Sequence, residues 1–530
     1  MITMPRLTLL ALSIYLPRAT AFVPPAVSQW RTKSAATPDT WQHLLFAAAN
    51  ATTTTTTPSF DVLFQADPTV NAPLPPSYTE CPFTGIFAGP KSFYRQASTA
   101  LEAPKVFSFL DKKNQPTCEI RGGKVVRDVL RQEFSALDSN AVVGISQIAC
   151  GPNSLRTARS KQEHRAIRQL VGVPLSPRAV ESSIPLLQAI GRAKIQGHIV
   201  ADKEFVAWDL GLEYELDITE QQLLGLNLET EEEIANFHHQ VHNWLKGMWY
   251  KEGAPDFEAC MKARAYLRDK IDQKINILLE AGESDESTVG DLVFATIDDV
   301  EDTTDQDRTL SRQEVIDNVL FLMLAGTETT ATSMANVMLL MGLHPSKWQA
   351  VVEEQADIVA RNGDQLTPAV LEQACPYLEA VIHETMRIMP FTLVSKRVTT
   401  ETIVVDGIHI PKGWAVGYNM YLTHAQDTTM EEGHMDLLKG FKPERWLKAD
   451  TRPGKEYIPF GAGPRKCPGN IAALTQMKTF LSLLAREMPR FELVDVDYNP
   501  NQPIEEQIRW NKVSSSVTPE DGVRFRMLSK

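Results

Sequence analysis

Cysteine is scarce in this chain: six residues in 530, at Cys81, Cys118, Cys150, Cys260, Cys375 and Cys467, with no CxxC pair. That spacing excludes a zinc ribbon and a disulfide scaffold. Positive charge is in deficit too. Fifty-three Lys and Arg against 66 Asp and Glu leave a net charge of -13, which argues against a nucleic-acid partner, because phosphate binding needs clustered basic side chains. No glycine- or serine-rich linker and no internal repeat divides the chain beyond its first 75 or so residues, and no flavin or nicotinamide fingerprint occurs. What remains is a chain 43 % apolar, able to bury a large core around a small-molecule site.

The first 60 residues read as a targeting leader. Arg6 precedes an apolar run from Leu7 to Leu16, about half the roughly 20 residues that span a bilayer. Ala19 and Ala21 flank Thr20 in a small-residue cleavage pattern, and Phe22 follows. Residues 1–21 are therefore expected to be a signal peptide. Residues 22–60, rich in Ser, Thr and Ala with a polythreonine run at Thr52–Thr57, have the composition of a transit segment. The arrangement resembles the bipartite plastid leaders of algae with secondary plastids, and the competing destination is the endoplasmic reticulum membrane. The catalytic domain is expected over 72–530.

Helical periodicity dominates that domain. Apolar residues recur at three- and four-residue spacing over Met261–Leu279 and Ile471–Glu487. A helix from about Ser311 to Met341 would be roughly 45 Å long. It is apolar on all sides around Phe321–Ala325, and Asp317, Glu328 and Asn336 interrupt it. The acid-rich block Glu280–Asp307 contains no Lys or Arg and reads as a solvated loop. Strand signals are few: Thr402–Ile410 alternates in part and ends in a turn at Pro411–Gly413. The expectation is a mainly α fold with small β-sheets and one long central helix.

The chemistry concentrates at Phe460–Gly469, read FGAGPRKCPG. A thiolate at Cys467 would gain from the positive end of a helix starting near Asn470 and from backbone N–H groups of a Gly-rich turn. Gly463 and Gly469 would permit close approach, Arg465 is placed to bind an anionic group, and Phe460 would cover the sulfur. Glu384 and Arg387 stand at i and i+3, able to pair on one helix face. Leu324–Thr330, read LAGTETT, puts polar residues in the middle of the long buried helix, where they need partners or a function.

The Cys467 stretch resembles the cytochrome P-450 signature F-x-x-G-x-R-x-C-x-G at every fixed position. The resemblance implies a haem-thiolate monooxygenase with haem b, Cys467 as axial ligand, and insertion of one oxygen atom from dioxygen into a C–H bond using two external electrons. It assigns Glu328 and Thr329 to proton delivery, beside Ala325 and Gly326, where Gly326 would loosen the helix. It joins Glu384 and Arg387 to Arg445, from the Pro443–Trp446 segment, in a structural network. It places His164, Arg168, Arg397 and Arg465 at the haem propionates. Phe321, Leu324, Thr392, Leu393 and Val394 become pocket walls. Val405–Trp414 and Met261–Ala265 are similar to the clan of retinoic-acid and isoprenoid or sterol hydroxylases, implying a hydrophobic isoprenoid: an apocarotenoid, a retinoid-like acid or a carotenoid. The alternatives are a sterol hydroxylase of the endoplasmic reticulum and a haem-thiolate hydroperoxide isomerase or dehydratase. Expected partners are a ferredoxin or a flavoprotein reductase, with possible peripheral membrane contact.

Overall fold

Capping chemistry sets the helix boundaries. The computed structural model describes Asp67–Leu528 apart from residues 68, 79–95, 112–114, 140–148, 200–202, 248–249, 251, 298–307, 393, 495–503 and 511–517; the expected leader segments lie outside the described residues. In chain order the principal helices are α1 (Gly123–Leu130), α2 (Lys161–Val171), α3 (Pro177–His198), α4 (Ala207–Ile218), α5 (Glu231–Gly247), α6 (Pro255–Ala281), α7 (Thr288–Phe294), α8 (Arg312–Leu343), α9 (Pro345–Asn362), α10 (Pro376–Ile388), α11 (Met420–His424) and α12 (Asn470–Glu487). At α8 the Ser311 hydroxyl accepts the Glu314 N–H while the Glu314 carboxylate accepts the Ser311 N–H, a reciprocal capping box. Pro345 begins α9 immediately after the α8 C-cap, His344, so the long helix cannot run on. Among the described residues no helix is long and apolar enough to cross a membrane.

The main sheet has the order β1-β2-β10-β7-β3, from Val106–Leu110, Pro116–Ile120, Ala415–Asn419, Val394–Thr399 and Leu137–Asp138. β10 runs parallel to β2 and antiparallel to β7, which sets Arg397 opposite Val416 inside the sheet. A second sheet joins β4 (Glu204–Val206), β11 (Phe491–Leu493) and β12 (Arg524–Met527) in the order β11-β12-β4, and β5 (Thr296–Ile297) pairs antiparallel with β6 (Arg308–Thr309). The stretch expected as one strand at Thr402–Ile410 is a hairpin, β8 (Ile403–Val405) against β9 (Ile408–Ile410). Asp406 and Gly407 both take positive φ, which suits a two-residue turn. The acid block expected as a loop is also corrected: it contains α7, started by the Ser287 hydroxyl, which accepts the Gly290 N–H.

α8, about 48 Å long at 1.5 Å per residue, serves both large hydrophobic clusters. Val315–Met323 belongs to one, packed with α5 and α6; Met334–Met341 belongs to the other, with α3, α10 and α12. α4 lies along it so closely that a Cβ at Gly211 would stand 3.3 Å from the Ala331 backbone. The buried polar residues of α8 have structural work. Asp317 accepts from the Asn153 backbone and side chain, both at 3.0 Å, and Asn318 accepts the Leu155 N–H at 2.8 Å. They pin the loop before α2 whose carbonyls reach the site described next.

Candidate active site

The Cys467 loop is closed by its own backbone. The Cys467 N–H donates to the Phe460 carbonyl at 3.0 Å and the Lys466 N–H to that of Gly463 at 3.1 Å. Gly463 has φ +72° and a Cβ there would stand 2.7 Å from Leu130 Cβ on α1, so this glycine is required both by conformation and by space. Gly463→Ala is expected to destabilise the fold by about 1–3 kcal/mol, read as a lowered urea midpoint with partial haem loss; an unchanged midpoint would show that the loop shifts freely. Gly469 has an ordinary φ, −88°, and serves as N-cap of α12 with no side-chain cap. Phe460 is half-buried and packed on the main core.

Burial pushes the Cys467 thiol up from its ordinary value, while the Gly469 backbone N–H and the cations Arg168 and Lys466 pull it down. A metal bound at the sulfur removes such a proton outright. The other four described cysteines, Cys118, Cys150, Cys260 and Cys375, are buried free thiols.

Beside the loop stands a group of basic side chains. Arg397 Nε donates to Glu133 Oε2 at 2.6 Å and Arg465 Nε to Glu133 Oε1 at 2.9 Å, so one buried carboxylate holds both guanidinium groups. Arg465 also donates to the carbonyls of Leu155 and Arg156, each at 3.3 Å, and of Ala158. Arg156 makes no ion pair among the described residues; burial, then Arg397 and Arg465, push its pKa down to about 10. His164 is buried against Phe134, its Nε2 has no hydrogen-bond partner, and burial with Arg465 and Arg168 brings its pKa down to about 4. Neutral His164 and three arginines around one glutamate suit a ligand with two carboxylates. Glu133 and Arg156 were not anticipated from the sequence.

α8 supplies the opposite kind of surface. Ala325 is exposed although it stands mid-way along a buried helix. Cβ atoms built at Gly326 and Gly469 would meet no protein atom within 4 Å. Phe321, Leu324, Ala325 and Glu328 share one helix face by spacing; all but Ala325 are half-buried, as are Thr392 and Val394, and Leu393 lies outside the described residues. Burial alone pushes the Glu328 carboxyl up to about 7. α8 runs on through Gly326, and Thr329 Oγ1 donates to the Ala325 carbonyl at 2.8 Å, a side-chain bond that competes with the helix's own. A thiol at a helix start, a lining bare of Cβ atoms and a basic cluster together fit a flat, dianionic, thiolate-ligated haem.

The expected Glu384 network is present and larger than anticipated. Arg387 donates to both Glu384 oxygens at 2.9 Å, Arg445 Nε to Oε1 at 2.9 Å, Trp446 Nε1 to Oε2 at 2.9 Å and the Lys442 N–H to Oε1 at 3.0 Å. Burial raises the Glu384 pKa, yet Arg387, Arg445 and Lys442 outweigh it and hold the carboxyl below its ordinary value. His424 then links this network to the Cys467 loop: Nδ1 meets the Arg387 carbonyl at 2.8 Å and Nε2 accepts the Ile458 N–H at 3.0 Å.

Residues 212–518 match the family model described as Cytochrome P450. The chain belongs to the cytochrome P450 family. It is 26 % identical over 388 residues to cytochrome P450 120 of Synechocystis sp., covering 72 % of this chain and 81 % of that protein. With cytochrome P450 26A1 of Danio rerio the figures are 25 % over 435 residues, 79 % and 85 %. Two solved structures share the fold: a retinoic-acid-bound cyanobacterial CYP120A1, at a TM-score of 0.68 and 23 % identity over 86 % of this chain and 99 % of that one, and a cytochrome P450DA haem domain, at 0.70 and 17 % over 87 % and 98 %. P450 proteins are monooxygenases that bind haem b through an axial cysteine thiolate, use redox partners and take hydrophobic substrates.

Proposed function

We propose that this P450 hydroxylates a hydrophobic isoprenoid of the retinoid, apocarotenoid or carotenoid type, with Cys467 as the axial ligand. The observation that carries the reading is the face Phe321, Leu324 and Ala325 on α8, partly open in the middle of a buried helix, with Glu328 as its one ionisable member. Such a wall excludes water, orients an apolar chain and leaves one group to handle protons. The solved retinoic-acid complex of CYP120A1 supports the ligand class. Bound haem supplies oxygen activation. Arg397, Arg465, Arg156 and His164 would hold its carboxylates, and Glu328 with Thr329 would pass protons towards dioxygen. The electrons would come from a ferredoxin or a flavoprotein reductase.

Titrating the haem-loaded protein with retinoic acid, an apocarotenoid, β-carotene and a sterol tests the class. A low-spin to high-spin shift of the haem band with a carotenoid-derived ligand is expected; a response to the sterol alone would overturn the reading. Glu328 gives a second test. Its carboxyl is protonated below about 7, so kcat is expected to fall as pH rises through that value. Glu328→Gln should lower kcat about 10²-fold and flatten that limb, whereas an unchanged limb in the variant would remove Glu328 from proton delivery.

A further inference from the structure

We propose that Asp217, Glu220 and His238 form a binding site for one divalent cation of the zinc class, apart from the haem site. Asp217 closes α4, Glu220 lies in the π-helical turn Thr219–Leu223 that follows, and His238 comes from α5. His238 Nε2 stands 3.3 Å from Asp217 Oδ1 and 3.7 Å from Glu220 Oε2, and the three donor atoms all lie within 4.8 Å of one another. Zinc bonds of about 2.0–2.1 Å in a tetrahedron put its ligand atoms about 3.3 Å apart. Two of the three edges are therefore close to ligating distance with water left as the fourth ligand.

A second observation points to the same atoms. Glu220 Oε2 and His238 Nε2 are buried and make no hydrogen bond among the described residues, and Glu220 Oε2 is turned towards His238. Side-chain exposure is 4 % for Glu220, 14 % for Asp217 and 18 % for His238. Buried polar atoms of this kind demand a partner, and a cation bound between them, with Asp217 as its third ligand, would satisfy both.

The surrounding charges leave room for a cation. Lys194 on α3 pairs with Asp217 Oδ1 at 2.9 Å. It also acts on Glu213, which accepts His198 Nε2 at 2.8 Å. Three carboxylates thus face one lysine and two histidines, and on metal binding Lys194 retains Glu213 as its electrostatic counterpart. The π-turn is what brings the set together: it widens the helix after Asp217, and the Leu226 N–H reaches back to the Glu220 carbonyl at 2.9 Å. Thr219, in the same turn, lies 3.4 Å from Thr327 Oγ1 on α8, so the site braces the residue before Glu328.

The test uses the haem-loaded protein, stripped with a chelator and titrated with zinc against a fluorescent zinc chelator. One zinc per chain at micromolar or tighter affinity is expected, with an N/O-only first shell in zinc K-edge absorption. Glu220→Gln and His238→Ala should each weaken binding by about 10²-fold or more, since even outer partners of a metal ligand command 10–100-fold. Both variants are compared after their ferrous carbon-monoxide spectra show an intact haem site. Should either fail to fold, the unaltered protein decides: zinc raises its Tm by a few degrees and magnesium, which demands octahedral oxygen ligands, does not. Absence of stoichiometric zinc, wild-type affinity in the variants, or an equal magnesium response would overturn the proposal.

Discussion

Cys467→Ser is expected to abolish the thiolate-type ferrous carbon-monoxide spectrum and to reduce turnover by at least about 10²–10³-fold, beyond the 10–100-fold that outer partners of a metal ligand command. The hydroxyl is a far weaker acid than the thiol, so it does not supply the electron-rich sulfur ligand that favours cleavage of dioxygen in this family. The loop itself should survive. Its closure rests on the Cys467 backbone N–H to the Phe460 carbonyl and on Gly463 against Leu130, neither of which uses the sulfur. The expected product is thus a folded protein with altered haem ligation, verified by near-wild-type circular dichroism and Tm. Cys375→Ser is the control: that thiol is buried far along the chain, where the Gln355 side chain donates to it at 3.5 Å, and its loss should leave the spectrum unchanged. A normal thiolate spectrum in Cys467→Ser would overturn the axial assignment.

The Cys467 stretch was legible because its requirements are local: a turn, a glycine with positive φ, a sulfur and a helix start fall within ten residues. The span of α8 was nearly as legible: the expected Ser311–Met341 falls within two residues of the observed Arg312–Leu343 at each end. Glu133 was not. Its role arises from two arginines that arrive 264 and 332 residues later in the chain, and nothing around a lone glutamate after α1 announces them. Arg156 was missed for the same reason, since its surroundings are created by Asp317 and Asn318 pinning its loop to α8. The β8–β9 hairpin was misread as one strand although Asp406 and Gly407 carry its turn signal, because strands of three residues are too short for alternation to show. The metal-ligand group on α4 and α5 gave no signal, because Asp217 and Glu220 meet His238 only after a π-turn that local spacing does not reveal.

Glu384→Ala should be the most damaging change outside the Cys467 loop, costing about 3–5 kcal/mol, because it leaves Arg387 and Arg445 buried without their shared counter-charge. The damage should travel. Arg387 also donates to the His434 and Gly440 carbonyls, and its own carbonyl holds His424, whose other nitrogen accepts the Ile458 N–H at the entrance to the Cys467 loop. Loss of Glu384 is therefore expected to reduce haem retention as well as the urea midpoint. Glu384→Gln should fall between wild type and alanine, keeping an acceptor but not the charge. The pH dependence has a definite sign. Glu384 titrates below its ordinary 4.5 in the folded protein, so its stabilisation is complete above that value and is lost as pH falls through the depressed one. His424 acts in the same direction over a higher range. It is buried neutral with its pKa brought down to about 4, against an ordinary 6.5, so unfolding gains a proton and stability falls as pH drops below 6.5. Wild-type haem release should accordingly begin below about pH 6.5 and steepen below 4.5, whereas Glu384→Ala should keep the first phase and lose the second. Retention of both phases at wild-type midpoints would show that Arg387 and Arg445 find other partners, and that the network does not support the cysteine loop.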